Sequence, residues 1–264
     1  MIERVADLIR RTAAQAILPR FRALHSNEIE EKSPGELVTA ADRESEALLT
    51  KGLMELLPGS VVLGEEAATL RPEIHQRLTE EADLWIVDPL DGTSNFIEGK
   101  PCFSVMVALL RQGQTVASWM LDPLTNQLAV AERGSGAYLG GERIITSRAA
   151  PAVGALRGAV LTRFLPPMLR TEIEGRANRV QEILPGLRCA GHEYPAIATG
   201  AQHYALFWRT EPWDHAPGAL FITEAGGWVA RLDRTPYTPV DQGKGLLVAQ
   251  NEETWYAVES ALLS

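Results

Sequence analysis

The sequence predicts a layered α+β fold, and three features of the chain indicate it. Segments with helical periodicity alternate with short apolar runs that are typical of strands. Turn signals between these runs favour mostly antiparallel pairing. The 264 residues and the 45% hydrophobic fraction are enough for a large core. We expect one folded unit of two fused lobes, 1–150 and 151–264, because the composition shifts to Ala-Ala-Pro-Ala near residue 150.

The first eighty residues are predicted to be mainly helical. Ile2, Val5 and Ile9 share an apolar face, so residues 2–24 read as an amphipathic helix that Pro19 kinks or interrupts. The polar segment that follows contains Pro-Gly and predicts a loop. The elements in order are this helix, the loop at 25–37, a helix at 40–56, a strand at 60–66 that ends in two glutamates, and a charged loop or short helix at 67–82.

Strands dominate the predictions for the rest of the chain. An apolar strand at 84–87 precedes a hairpin whose turn is Gln112-Gly113-Gln114. The predicted strands are 104–110, 116–122, 126–131, 136–139, 158–161, 187–189, 204–207 and 228–232. The predicted helices are 166–183, 193–200 and 215–225, the last of them stopped by Gly226-Gly227.

Charge and composition narrow the class of protein. Lys and Arg total 25 against 34 Asp and Glu, and this net charge of −9 argues against a nucleic acid polymer as a partner, which needs a basic face. The charged N-terminal segment is not a signal peptide, and no apolar run approaches the ~20 residues of a membrane span. Cys102 and Cys189 form no zinc pattern, so we expect buried free thiols and a cytoplasmic location.

The segment Trp85-Ile-Val-Asp88-Pro-Leu-Asp91-Gly92-Thr93 is the most informative stretch of the chain. It brings two carboxylates to one tight turn at the end of an apolar strand, where they repel each other. A hard cation such as Mg²⁺ would relieve that repulsion. Because Gly92 lets backbone N–H groups approach an anion and Thr93 adds a hydroxyl, the pattern predicts a metal site that also holds a phosphate.

Further acidic residues lie next to predicted strands and helices, and each has a plain structural reading. Asp214 is placed to cap the helix near His215, and Asp42 is placed to stabilise the start of a helix. Glu65 would otherwise be a surface charge, and Asp88 and Asp91 would close a turn with Gly92. Taken together, however, these acids favour a shared site at the mouths of apolar segments.

In this combination, the chain resembles the inositol monophosphatase family, Mg²⁺-dependent and lithium-sensitive phosphatases. The resemblance covers nearly the whole chain and rests on motifs in a specific order. These are Gly64-Glu65-Glu66, Asp88-Pro-Leu-Asp91-Gly-Thr-Ser-Asn-Phe96, Gly134-Ser-Gly-Ala-Tyr138, Trp213-Asp214-His-Ala-Pro-Gly218 and Glu224-Ala-Gly-Gly227. It implies the layered αβαβα sandwich of the inositol monophosphatase and fructose-1,6-bisphosphatase type.

The resemblance also implies roles for individual residues. Two or three Mg²⁺ per subunit, with Mn²⁺ as a substitute and Li⁺ as an inhibitor, would be held by Glu65, Asp88, the Leu90 carbonyl, Asp91 and Asp214. Glu65 and Thr93, assisted by Asp42, would orient the attacking water. Lys32 matches a lysine in a mobile loop of the family. The implied phosphate- and substrate-binding set is Asp91, Gly92, Thr93, His192, Glu193 and Asp214.

The chain departs from the inositol-specific members at two substrate-facing positions. His192-Glu193-Tyr194 follows Gly191 where those members have Ser/Thr-Ala-Ala, and Phe207 stands where they carry a glutamate. We therefore expect a small phosphate monoester as the substrate: an inositol-phosphate-like compound, histidinol phosphate, whose ammonium would meet Glu193, or a sugar phosphate. Fructose-1,6-bisphosphatase activity and 3′(2′),5′-bisphosphate nucleotidase activity remain alternatives.

Two other functional classes compete with a phosphatase. A glycosidase would use paired carboxylates as acid and base, but it leaves Gly92-Thr93 and the additional acids unexplained. A non-catalytic pseudophosphatase would keep the fold without turnover.

Predictions can also be made for the oligomeric state and for the surroundings of the histidines. Family members are commonly homodimers, and Trp119, Met120 and Trp208 are candidates for an apolar interface. His25 and His75 are expected in solvent, His192 and His203 near the pocket, and His215 in helix packing.

Overall fold

Two β-sheets, with a pair of helices between them, form the centre of the structure. The computed structural model describes residues 1–33, 35–80, 82–241 and 243–264. Its larger sheet has the strand order β3-β4-β5-β6-β7-β8-β9. These strands are β3 (Val61–Gly64), β4 (Leu84–Asp91), β5 (Ser104–Arg111), β6 (Gln114–Asp122), β7 (Gln127–Glu132), β8 (Gly136–Leu139) and β9 (Glu142–Ile144). All neighbours are antiparallel except β3 and β4.

The smaller sheet has the order β11-β10-β12-β14-β13, and β10 lies parallel to both of its neighbours. Its strands are β10 (Arg157–Val160), β11 (Glu182–Leu184), β12 (Tyr204–Phe207), β13 (Trp228–Arg231) and β14 (Leu246–Ala249). A separate antiparallel hairpin consists of β1 (Ile29–Ser33) and β2 (Glu36–Thr39). The division into lobes at residue 150 falls between the two sheets and stays a prediction.

Helices cover the outer faces of both sheets and fill the space between them. α1 (Ile2–Thr12) and α2 (Ala40–Leu56) pack on the larger sheet. α6 (Ala190–Ala198) and α7 (Pro212–Glu224) lie between the sheets, where their apolar residues join both. α5 (Pro167–Gly175) and α8 (Glu252–Val258) cover the smaller sheet. The order α/β/α/β/α confirms the predicted layered sandwich, and two short helices, α3 (Glu65–Leu70) and α4 (Thr93–Ile97), border the cleft.

Several local predictions were wrong. The predicted loop at 25–37 holds the β1–β2 hairpin, apart from Pro34, which lies outside the described residues. The predicted helix at 166–183 ends at Gly175, and the strand expected at 187–189 is β11, at 182–184. Among the described residues, no helix is long and apolar enough to cross a membrane.

Candidate active site

A cleft of about 1020 Å³ opens where the ends of β3 and β4 meet the β1–β2 hairpin, the end of β10 and the starts of α6 and α7. Its wall includes most of the predicted site residues. These are Lys32, Glu65, Asp88, Leu90, Asp91, Gly92, Thr93 and Asp214. The cleft therefore collects residues that are separated by up to 182 positions in the chain, counted from Lys32 to Asp214.

Three carboxylates form the floor of the cleft. Asp88 and Asp91 lie at the end of β4, and Asp214 lies in the first turn of α7. One oxygen from each lies within 4.8 Å of the others. Burial, together with the neighbouring carboxylates, raises the pKa of Asp88 and of Asp214 well above the usual range. Because buried like charges need a counterion, this oxygen cluster fits a divalent cation.

Asp91 is held in place by donors from the neighbouring strand β5 and from the start of α6. Its Oδ2 accepts from the Gly191 amide at 2.7 Å, from the Cys189 thiol at 3.0 Å and from the Ser104 hydroxyl at 3.2 Å. A side chain at position 191 would collide with Ser104, so glycine is required there. Its other carboxylate oxygen, Oδ1, has no hydrogen bond from these three donors.

The turn after β4 positions the residues that follow Asp88. The Asp88 carboxylate accepts from the Leu90 amide at 3.0 Å. Gly92 has φ 84°, and a Cβ there would lie 2.9 Å from the Cys102 carbonyl oxygen. Only glycine meets both conditions without strain, and α4 begins at the next residue, Thr93.

Thr93 and Asp42 form a buried pair beside the carboxylate cluster. The Thr93 hydroxyl lies 2.9 Å from Asp42 Oδ1 and 2.9 Å from the Leu90 carbonyl, so its one proton is shared between two acceptors. Asp42 Oδ2 accepts from the Thr39 amide at 2.8 Å and the Thr39 hydroxyl at 2.6 Å, in a capping box that begins α2. Burial raises the pKa of Asp42 to about 6.

Lys32 bridges the two glutamates at the start of α3. Its Nζ lies 2.6 Å from Glu65 and 2.7 Å from Glu66. Burial opposes protonation of this lysine, but the two carboxylates outweigh it and raise the pKa of Lys32. Burial and the Glu65 charge raise the pKa of Glu66 to about 8. Glu46, which the sequence analysis missed, accepts from the Glu66 and Ala67 amides at 2.8 and 2.9 Å and so fixes the start of α3.

Two predicted substrate contacts do not fit the structure. The side chain of Glu193 is 0% exposed and accepts from the Leu187 amide at 2.5 Å and from Gln202 at 2.6 Å, behind the cleft wall. The His192 ring lies 3.2 Å from the Phe103 carbonyl and also outside the cleft lining. The reason is the position at which α6 begins, Ala190. Successive residues of a helix are rotated by about 100° about its axis. Gly191 faces Asp91, so the side chains of the next two residues, His192 and Glu193, point in other directions.

The structure contradicts some of the predictions for the interface residues and the histidines and agrees with others. Trp119 and Met120 are 0% and 2% exposed in the core, so they cannot form the predicted surface patch, while Trp208 lines the cleft. His203 accepts from the Arg157 amide and does not line the cleft. His215 packs in α7 as predicted, with the Tyr194 hydroxyl 2.8 Å from its Nδ1.

An arginine and aromatic wall, which the sequence analysis did not find, continues the cleft away from the carboxylates. The guanidinium carbons of Arg209 and Arg163 lie 4.3 and 4.9 Å from the centre of the Phe164 ring. Arg209 also pairs with Glu36 of the hairpin, and the charge of Asp214 contributes to its raised pKa. Phe207 stacks on Tyr194 at 5.6 Å and completes this wall.

Sequence comparison decides the family of this chain. The inositol monophosphatase family model matches residues 2–262. The chain belongs to the inositol monophosphatase family. It is 34% identical to an inositol-1-monophosphatase of Rhizobium meliloti, over 82% of this chain and 80% of that protein. It is likewise 34% identical to the Nus factor SuhB of Pseudomonas aeruginosa, over 83% and 81%.

Structural comparison shows a shared fold. The family member inositol monophosphatase II from Staphylococcus aureus superposes with a TM-score of 0.83, over 100% of this chain and 95% of that one, at 23% identity. Family members hydrolyse phosphoric monoesters, so the predictions of the family, its fold and a phosphatase are confirmed. Among the described residues, the acidic cluster of Asp88, Asp91 and Asp214 in the cleft could bind a metal ion, and Cys102, Cys189 and His192 form a second group of close ligand atoms.

Proposed function

We propose that this chain is a Mg²⁺-dependent phosphomonoesterase that hydrolyses a small phosphorylated metabolite with water as the nucleophile. The observation that carries the proposal is the cluster of Asp88, Asp91 and Asp214 oxygens beside the Thr93–Asp42 pair. The cluster supplies hard ligands for a divalent cation, and the pair supplies a hydroxyl joined to a carboxylate at the edge of the same cleft.

The cation would be held by Glu65, Asp88, the Leu90 carbonyl, Asp91 and Asp214. When bound, Mg²⁺ offsets the charge of the phosphate, lowers the pKa of water and stabilises the leaving oxygen. The raised pKa of Asp88 and Asp214 supports this assignment, since two ionised carboxylates in that position are unfavourable without a cation. Two to three Mg²⁺ per subunit, replacement by Mn²⁺ and inhibition by Li⁺ are proposed from the family resemblance.

Thr93 and Asp42 would orient water for attack on phosphorus and receive its proton. While the Thr93 hydroxyl donates to Asp42 Oδ1, its oxygen keeps lone pairs that accept from a water in the cleft. A pKa of about 6 makes Asp42 a suitable final proton acceptor near neutral pH. Glu65, which also lines the cleft, would orient the same water.

The backbone of Gly92 and Thr93 would receive the phosphate. The left-handed conformation of Gly92 turns the chain between Asp91 and α4, and this turn would present the backbone N–H groups to an anion. Lys32 would contribute positive charge from the hairpin, which we propose to be the mobile segment near the site.

The arginine and aromatic wall favours a nucleotide with two phosphates as a second candidate substrate. Guanidinium groups bind phosphate and aromatic rings stack on bases. Histidinol phosphate loses its expected contact, because the buried Glu193 cannot meet the ammonium of this compound. In this candidate activity, Arg163→Gln raises KM for adenosine 3′,5′-bisphosphate about tenfold and leaves KM for inositol 1-phosphate unchanged. Arg170→Gln, an exposed site on α5, is the matched control, and equal KM values for all three proteins would count against the nucleotide.

We also propose a homodimer in the cytoplasm. Two unpaired cysteines suit a reducing compartment, and the homodimer is expected from the family. Light scattering after size-exclusion chromatography gives the mass of the assembly, and the mass of a monomer would contradict the proposed dimer.

The proposed function is tested by phosphate release from a substrate panel, with Mg²⁺ and with EDTA. The panel contains inositol 1-phosphate, histidinol phosphate, fructose 1,6-bisphosphate and adenosine 3′,5′-bisphosphate. We expect turnover of at least one compound that EDTA abolishes and that Asp214→Asn reduces by at least about 10³-fold. Asp7→Asn, an exposed aspartate on α1, should behave as the wild type. Phosphate release that persists in EDTA would contradict the metal-dependent mechanism, and no release despite Mg²⁺ binding would favour a pseudophosphatase.

A further inference from the structure

Two cysteines lie side by side against Asp91. The thiol of Cys189 lies 3.0 Å from Asp91 Oδ2 and 3.6 Å from the Ser104 hydroxyl. The sulfur of Cys102 lies within 4.8 Å of the Cys189 sulfur. Cys189 thus contacts Asp91, a proposed metal ligand, and lies close to a second thiol, that of Cys102.

The backbone around the two cysteines is tied together. The Asn95 side chain donates to the Cys102 carbonyl and to the Leu187 carbonyl, both at 2.9 Å. Gly92 lies between the same segments, since a Cβ there would be 2.9 Å from the Cys102 carbonyl oxygen and 3.2 Å from Cys189 Cβ. The two thiols are therefore held near each other by polar contacts that do not involve sulfur.

The two thiols differ in their access to solvent. Cys189 is 1% exposed, whereas Cys102 is only partly buried, at the start of the loop that leads to β5. A small oxidant can reach Cys102, while Cys189 is shielded between Asp91 and Ser104. This is the arrangement in which an accessible thiol is oxidised first and a protected neighbour reacts with it.

We propose that Cys102 and Cys189 form a reversible disulfide under peroxide and that this disulfide weakens the metal site at Asp91. The inference concerns regulation of the proposed function and rests on it for the Mg²⁺-affinity and activity readouts, whereas formation of the disulfide does not depend on it. Disulfides in intracellular proteins, where they occur, are typically transient and redox-sensing.

The chemistry needs hydrogen peroxide as the oxidant. Peroxide transfers one oxygen to the Cys102 sulfur, giving the sulfenic acid and one water. The Cys189 sulfur then attacks the Cys102 sulfur, the S–S bond forms, and the hydroxyl leaves as a second water with the Cys189 proton. Two S–H bonds and the O–O bond are broken, and a dithiol such as dithiothreitol reverses the change by exchange.

The disulfide removes a donor from Asp91 and shifts the chain that holds it. The oxidised Cys189 sulfur has no proton to give to Asp91 Oδ2. Pulling position 189 toward Cys102 also displaces the Gly191 amide, which lies 2.7 Å from the same oxygen. Because partners that orient a ligating carboxylate typically affect metal affinity by 10- to 100-fold, oxidation should weaken Mg²⁺ binding about tenfold or more.

The test treats wild type, Cys102→Ser and Cys189→Ser with peroxide after EDTA treatment and buffer exchange. Intact mass, free thiols counted in denaturant, Mg²⁺ affinity by calorimetry and phosphatase activity are then measured. In the wild type we expect the loss of two hydrogen atoms, no free thiols and weaker Mg²⁺ binding, all reversed by dithiothreitol. Cys102→Ser should have wild-type basal activity and resist peroxide. Cys189→Ser keeps a hydroxyl donor for Asp91 and should also keep its Mg²⁺ affinity under peroxide.

Each contrary result overturns the inference. It fails if peroxide leaves both thiols free, if the disulfide forms without a change in Mg²⁺ affinity, or if Cys102→Ser loses affinity as the wild type does. The proposed function fails separately: reduced protein that binds Mg²⁺ but hydrolyses no substrate would contradict the phosphatase, while mass and calorimetry would still decide the disulfide.

Discussion

The Thr93 hydroxyl lies 2.9 Å from the Asp42 carboxylate and joins the start of α4 to the start of α2 at the edge of the cleft. The same Asp42 caps α2 through Thr39, so a residue of the proposed mechanism is also part of the local helix structure. Moving Asp42 away from Thr93 would therefore also remove two donors from its Oδ2.

Removing the Thr93 hydroxyl should abolish most catalysis without removing the metal. We expect Thr93→Val to lower kcat by at least about 10²-fold, the usual contribution of a positioned proton-transfer group, with Mg²⁺ affinity little changed. Thr93→Ser restores the hydroxyl and should recover most of kcat, and Thr171→Val, on the exposed side of α5, is the control. Steady-state kinetics and calorimetry separate the two effects, and an unchanged kcat in Thr93→Val would remove this residue from the mechanism.

The buried acids should make the protein less stable as pH rises when Mg²⁺ is chelated. The pKa of Glu66 is raised from 4.5 to about 8, so the folded state keeps a proton that the unfolded chain has lost. Stability from this group is fully present below the unfolded value and is lost as pH rises toward about 8. His215, whose burial lowers its pKa from 6.5 to about 3, has the opposite effect but is neutral in both states well above 6.5.

Between about pH 7 and about pH 8 an unfolded histidine is mostly neutral, whereas Glu66, with its pKa raised to about 8, loses its proton in the folded protein. We expect Tm in EDTA to fall across this window and the increase in Tm caused by Mg²⁺ to be larger at its upper end, because a cation favours ionised ligands. Scanning calorimetry at several pH values measures both. A Tm in EDTA that rises with pH would contradict the burial of protonated carboxylates.

Lys32 should compete with Mg²⁺ for the Glu65 carboxylate. Its ammonium lies 2.6 Å from Glu65, a proposed metal ligand. We expect Lys32→Met to bind Mg²⁺ about tenfold more tightly and to have a lower Tm in EDTA, since Glu65 and Glu66 are then unpaired. Lys51→Met, on the exposed side of α2, should change neither quantity. Weaker Mg²⁺ binding in Lys32→Met would show that the lysine assists the cation instead.

Glu193 should contribute to stability rather than to recognition. Its carboxylate accepts from the Leu187 amide and from Gln202 in the interior, so Glu193→Ala leaves both donors unsatisfied. We expect a loss of about 2–3 kcal/mol in the free energy of unfolding, measured with urea, and partial recovery in Glu193→Gln. Glu174→Ala, an exposed site on α5, is the control. Unchanged stability in Glu193→Ala would mean that the side chain is not buried as described.

The carboxylate cluster and the layered fold could be predicted from sequence because their signals are local and strong. The apolar strand β4 brings Asp88 and Asp91 into one stretch of four residues, and the Thr39–Asp42 capping box also spans four consecutive residues. The prediction missed the β1–β2 hairpin because its sequence is mostly polar and its two strands form backbone pairs with each other, outside the two main sheets. Its position depends on distant contacts, such as those of Lys32 with Glu65 and of Glu36 with Arg209.

The substrate wall could not be predicted for a related reason. The predicted helix begins at residue 193, whereas α6 begins at Ala190. A difference of a few residues in where a helix begins changes which side chains face the cleft. With α6 beginning at Ala190, the side chain of Glu193 lies in the interior. Arg163, Phe164 and Arg209 come together only through the folding of β10 and β12 side by side. No spacing within the chain indicates that contact.

Calorimetric titration of Mg²⁺ into wild type and Asp88→Asn measures whether the Asp88, Asp91 and Asp214 carboxylates bind Mg²⁺ together. We expect saturable binding to the wild type with proton release, because carboxylates with raised pKa values must ionise on binding. Asp88→Asn should lose at least about 100-fold in affinity while Asp7→Asn loses none. Equal Mg²⁺ affinity in Asp88→Asn and wild type would contradict the account.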